Sequence, residues 1–123
     1  MQDEFATRVR AVFKLGDGDP LPPADEEAHI QWHEYLTRHL VFPFEAEFCE
    51  NAGHLAEERF PVVVERLLGP EDGTWYDEQY GLLCEAQHKR QLVSLPLVDV
   101  HATGRSPNRM PLRDYAQWLR MAR

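Results

Sequence analysis

DEEAHIQWHEYLTRHLVFPFEAEF, residues 25–48, decides the fold, because the spacing of its apolar residues changes partway along. Asp25 suits a helix N-cap, and Glu26 and Glu27 in the first turn complement the positive end of the helix dipole. Trp32, Tyr35, Leu36 and His39 follow at helical spacing and mark the expected buried stripe. Pro43 places the helix end near Leu40. Beyond it the period becomes two: Phe42, Phe44, Ala46 and Phe48 face one way, Glu45 and Glu47 the other. That is a half-buried strand.

Working outward, Phe5, Val9, Val12 and Phe13 predict an earlier amphipathic helix over residues 2–15, stopped at Gly16 before a Gly/Pro-rich connection. After the pivotal stretch, Pro61 to Leu68 reads as a Val-rich strand. Tyr80–Gln87 and Leu92–Leu97 read as a hairpin about a polar turn at His88, Lys89 and Arg90. Pro96 belongs at an edge or a corner. Leu112, Tyr115, Ala116 and Leu119, with Pro111 near the start, predict a C-terminal helix. Two helices, four to five short strands and a last helix make an α+β chain with a small curved antiparallel sheet. Its natural division is residues 1–22, a helix and its connection, and residues 23–123, a single α+β domain.

Charge is unevenly distributed. Residues 41–78 hold ten carboxylates against two arginines, a net −8 that equals the formal charge of all 123 residues. Such crowding is self-repulsive unless a cation is supplied. An acidic chain of this kind is a poor ligand for nucleic acid or an anionic membrane, both of which select clustered Lys and Arg. No apolar run approaches the roughly 20 residues that cross a bilayer. The acidic start at Asp3 and Glu4 is unlike a secretory signal, so a cytoplasmic location is expected. Cys49 and Cys84 make no disulfide framework and read as small buried hydrophobes.

The densest oxygen-donor feature is Gly69-Pro70-Glu71-Asp72-Gly73-Thr74-Trp75-Tyr76-Asp77-Glu78. Two carboxylate pairs flank a glycine that lets the backbone turn, and calcium takes six to eight oxygens in a tolerant geometry. Glu71, Asp72, Asp77 and Glu78 are therefore the candidate ligands, against the plainer reading of a solvated acidic turn. No EF-hand is present: Asp17 and Asp19 open like one, but Leu21 and Ala28 occupy acid positions. His29 and His33, four apart on the second helix, have zinc-compatible spacing without a zincin frame, and read more simply as flanking histidines; His39 reads as a core histidine. Glu45, Glu47 and Glu65 read as solvated charge rather than ligands. No nucleophile elbow, phosphate loop or dinucleotide fingerprint is present, so no catalytic residue is assigned and no enzyme is expected.

The run Trp32-x-x-Tyr35-Leu36-x-x-x-Leu40-x-Phe42-Pro43-Phe44-x-Ala46 resembles the opening of the small cyanobacterial calcium-binding protein family, CcbP. Pro70-Glu71-Asp72 resembles the start of that family's acidic loop, Leu95-Pro96-Leu97 the close of its last strand, and Asp114-Tyr115-x-x-Trp118 its terminal helix. The resemblance implies an SH3-like curved sheet, calcium as the bound ion, and a storage or buffering role. It carries the acidic-loop positions onto Glu71, Asp72, Asp77 and Glu78. The chain departs from the pattern in its first helix and in Trp75 and Tyr76, which interrupt the acidic loop. The rival readings are an SH3-like module that docks a protein on an acidic face without metal, and a zinc site at His29 and His33.

Overall fold

The computed structural model describes residues 4–51 and 57–122. Its elements are α1 (Glu4–Val12), α2 (Glu26–His39), β1 (Phe44–Asn51), β2 (Glu57–Leu67), β3 (Tyr76–Asp77), β4 (Gly81–His88), β5 (Gln91–Pro96), β6 (Val100–Ala102) and α3 (Arg109–Ala122). Short 3-10 turns occupy Pro70–Asp72 and Leu97–Asp99. The expected α+β class holds, with six strands in place of four or five. Residues 2 and 3 of the expected first helix lie outside the described residues.

All strand pairings are antiparallel, in an open sheet of order β3-β4-β2-β1-β6, with β5 paired to β4. The change of period falls where the sequence puts it. Asp25 Oδ1 accepts from the Ala28 amide at 2.8 Å and caps α2, and β1 opens at Phe44 with Phe44 and Ala46 buried and Glu45 exposed. Lys89 and Arg90 both take positive φ, 50° and 67°, the backbone of a two-residue hairpin turn whose twist matches its strands.

A bulge interrupts β2. Val64 pairs with Ala86 and Arg66 with Glu85, leaving Glu65 as the extra residue. One inserted residue flips the alternation. Val62 and Val64 point inward, yet Arg66 turns out to solvent and Leu67 resumes burial.

The helices cover the inner sheet face. Phe5, Val9, Val12 and Phe13 belong to the same core as Trp32, Val64, Leu82, Tyr115 and Trp118, and α1 packs on α3 and α2. Arg8 donates to both oxygens of the buried Asp114 of α3, at 2.7 and 3.0 Å. That bidentate geometry ties α1 to the last helix.

Two short strands were not expected. β3 has two residues, held by the start of β4, and β6 has three, placed against β1 by the 3-10 corner after Pro96. Segments that short carry no periodic signal.

Candidate metal centre

The acidic loop is closed at its base by one residue. The Leu83 amide donates to Trp75 O at 3.1 Å, and Leu83 O accepts from the Leu68 amide at 3.0 Å. Trp75 is buried, so an aromatic plug sits inside the acidic turn, where the sequence shows only an interruption. Gly73 takes φ +83°, a conformation that costs little only without a Cβ.

Glu71 and Asp72 lie on the 3-10 turn, while Asp77 and Glu78 lie on β3 and the turn after it. Asp72 is heavily engaged. Its Oδ2 accepts from the Gly69 amide at 2.7 Å and from Arg66 Nη1 at 2.9 Å, and its Oδ1 accepts from Arg66 Nη2 at 3.1 Å. The Arg66 guanidinium, then the Gly69 N–H, hold the Asp72 carboxyl below the usual carboxylate range. Arg66 is itself raised, chiefly by its bond to Asp72, and its Nε also reaches Glu85 Oε1 at 3.2 Å. Asp77 Oδ1 accepts from the amides of Gln79 and Tyr80 at 2.7 and 2.9 Å, bracing the turn into β4. Glu71 and Glu78 are exposed.

Glu71 and Asp72 thus stand inside the loop that Leu83 closes, and Asp77 and Glu78 just beyond it. Among the described residues, no three His, Cys, Asp or Glu side chains gather into a group able to hold a metal ion. The donor set is all hard oxygen, which fits calcium rather than zinc or copper. Glu71 and Glu78 are exposed, Asp77 keeps one carboxylate oxygen outside its turn, and both oxygens of Asp72 are bonded to Arg66. Sequence reading missed Arg66. Its signal was the broken alternation after Val64, which sends one of only two arginines in residues 41–78 to the foot of the loop.

His29 and His33 of α2 are not a pair of metal ligands on an open face. His29 is 1 % exposed: its ring lies 4.8 Å from that of Tyr76 and also meets Tyr115 and Trp118. Its Nδ1 donates to Asp25 O at 2.8 Å, which leaves Nε2 as an unprotonated nitrogen with no partner among the described residues. His33 instead packs its ring against Trp75. Both histidines therefore anchor the aromatic residues of the loop to α2. The expected stripe is rotated: Ala28, His29, Trp32 and Leu36 are buried, and His39 is exposed. The reason is tertiary: β3 and α3 close over His29 at the start of α2, whereas in the last turn Leu36 alone faces the core and His39 points to solvent.

Burial lowers the His29 pKa, outweighing the opposite effect of Asp25. A folded value below the unfolded one, about 6.5, means that the unfolded chain takes up the proton first. Stability is then full above about pH 6.5 and falls as pH drops through the folded pKa. Urea unfolding of the wild type should show this acid loss, and His29→Phe, which keeps the ring stack, should flatten it between about pH 7 and 5. An identical slope in the two proteins would remove His29 as its cause. Cys84 is also pushed up by burial, to about 12, which makes it an inert thiol at neutral pH.

Among the described residues, no helix is long and apolar enough to cross a membrane. No curated protein matches the chain. The crystal structure of Anabaena CcbP matches with a TM-score of 0.63 and 20% sequence identity, over 97% of this chain and 92% of that chain. That likeness shows a shared fold that extends through α1. The CcbP family model, described as calcium binding, matches residues 23–119. The chain therefore belongs to the CcbP family of calcium-binding proteins.

Proposed function

We propose that the loop between β2 and β4 is the calcium site of this chain, that Glu71, Asp72, Asp77 and Glu78 supply its carboxylate oxygens, and that the protein buffers or stores calcium in the cytoplasm rather than catalysing a reaction. The observation that carries this reading is the clamp at Leu83, which closes the turn bearing Glu71 and Asp72 and fixes Trp75, two residues before Asp77, in the most acidic part of the chain. A bound cation there supplies positive charge to a segment that otherwise repels itself. Loop carbonyls and water complete such a shell in general.

Each residue has a distinct task on this reading. Glu71 and Glu78 are free to accept the ion first. Asp77 holds the turn with Oδ1 and offers its second oxygen. Asp72 stays ionised because Arg66 neutralises it, and calcium competes with that guanidinium. The exchange is local, which suits a buffer better than a sensor that must rearrange to expose new surface.

Calcium that binds only the folded chain raises stability by about 2.7 kcal/mol at 100 times Kd. Asp72→Asn combined with Asp77→Asn should abolish the calcium-induced rise in Tm. An unchanged rise in that double variant would remove the loop as the site. Arg66→Gln, which frees Asp72, should tighten calcium several-fold by calorimetry, since an exposed ion pair contributes at most about 1 kcal/mol. Weaker binding in that variant would mean that Arg66 builds the site instead of competing for it.

A further inference from the structure

On the opposite flank of the sheet, α3 and β6 enclose a groove of about 430 Å³. Its floor is apolar, with Val100, Ala102, Leu112 and Ala116. Its wall is basic: Arg109, Arg113 and Arg120 follow one another along α3, and no carboxylate lines it. This is unusual company in a chain of net −8. Arg8 and Arg66, by contrast, are neutralised by Asp114 and Asp72. Arg113 and Arg120 form no ion pair among the described residues, and the Arg109 guanidinium donates only to the Gly104 carbonyl, at 3.4 Å.

The groove is also bounded by free backbone. β6 ends the strand path and pairs only with β1 among the described residues. The Thr103 amide donates to Glu45 O, which sets the phase of the ladder. Bonded pairs alternate with unbonded ones, so Thr103 and His101 face β1 while Ala102 turns its N–H and C=O the other way, as Val100 does its carbonyl. An open strand edge pairs with an incoming extended chain.

We propose that this groove receives an extended acidic peptide segment of a partner protein, which adds to the free edge of β6 and sets its carboxylates against Arg113 and Arg120. The backbone edge selects a peptide over a simple anion, and the arginines select its charge. A nucleic acid is a poor occupant, because its dense phosphate charge needs a broad field of Lys and Arg that a chain of net −8 lacks. A second copy cannot offer its acidic strand β1 to the edge, because that strand is enclosed between β2 and β6. The net charge of the distant loop is screened within about 8 Å at physiological salt, so the groove arginines dominate locally. This inference does not depend on the calcium reading.

The test uses the full chain and a labelled short peptide with Glu at alternate positions, alongside its Gln counterpart, an N-methylated Glu version and inorganic tripolyphosphate. Fluorescence anisotropy should show the Glu peptide binding about tenfold tighter than the Gln peptide, with the preference lost in R113E/R120E. The N-methylated peptide keeps the charge and should bind at least about tenfold more weakly, because it cannot pair with the edge. Amide shifts on binding should centre on Ala102 and His101. Both arginines are exposed, so the Tm and calcium response of the charge-reversed variant should match wild type. Equal binding of Glu and Gln peptides, full binding of the N-methylated form, or tripolyphosphate matching the peptide would overturn the proposal. So would a concentration-dependent dimer in sedimentation that occupies the same amides.

Discussion

Trp32→Ala should lower stability by about 3–5 kcal/mol, the largest loss expected from emptying any single core position here. Trp32 is wholly buried at the junction of the three helices. Its ring meets Phe13 of the segment after α1 at 6.1 Å, Tyr115 and Trp118 of α3 at 5.3 and 5.7 Å, and Tyr35 at 5.8 Å. Truncation opens a cavity that these rigid rings cannot collapse into, so the cavity penalty adds to the lost transfer energy. Urea unfolding gives the value directly. Trp32→Phe supplies the control: the indole N–H has no partner among the described residues, so exchanging it for an apolar ring removes a desolvation cost while keeping most contacts. That variant should lose far less than the alanine form. Equal losses would mean that the indole itself, not the volume, is what the core requires.

Gly81→Ala should be nearly as damaging, though it adds only one carbon. Gly81 opens β4 with φ +77°, a region where an L side chain costs roughly 1–2 kcal/mol. A Cβ there would also overlap the Tyr115 hydroxyl, lie 2.9 Å from Leu119 Cδ2 and lie 3.2 Å from His29 Nε2. The Tyr115 ring is fully buried, and its hydroxyl accepts from the Leu82 amide at 2.7 Å, so it has nowhere to go. We expect a loss of about 3 kcal/mol or more, from strain and overpacking together. Tyr115→Phe should cost about 1–2 kcal/mol alone, by leaving the Leu82 amide unpaired. In the Gly81→Ala background it should recover part of the loss, because the obstructing oxygen is gone. Strict additivity in that cycle would place the damage in the backbone conformation alone.

Much of this architecture is legible from residues 25–48, where a capped helix passes into a strand and the apolar spacing changes with it. Helix and strand signals there are long, and each is supported by a cap or by regular alternation. What escapes the sequence is set by partners distant along the chain. His29 rather than His39 is buried because β3 and α3 close over the start of α2, and nothing local to the helix states which end they cover. β3 and β6 are too short for a period and exist because β4 and β1 offer them an edge. The candidate site divides in the same way. Its four carboxylates can be picked out by composition, but their arrangement depends on Arg66, which faces the loop only because Glu65 is bulged. Trp75 and Tyr76, which read as a break in the acidic run, instead fix the loop to α2 through His33 and His29.

The decisive measurement is a calcium titration of the full chain followed by backbone amide resonances. The account predicts saturable shifts centred on Glu71, Asp72, Gly73, Asp77 and Glu78, with smaller ones at Arg66 and Glu85 as the guanidinium gives up Asp72, and none along β6. Calcium shifts that leave the loop amides unmoved and saturate elsewhere would contradict the assignment of the site, and no saturable shift at millimolar calcium would contradict calcium binding by this chain.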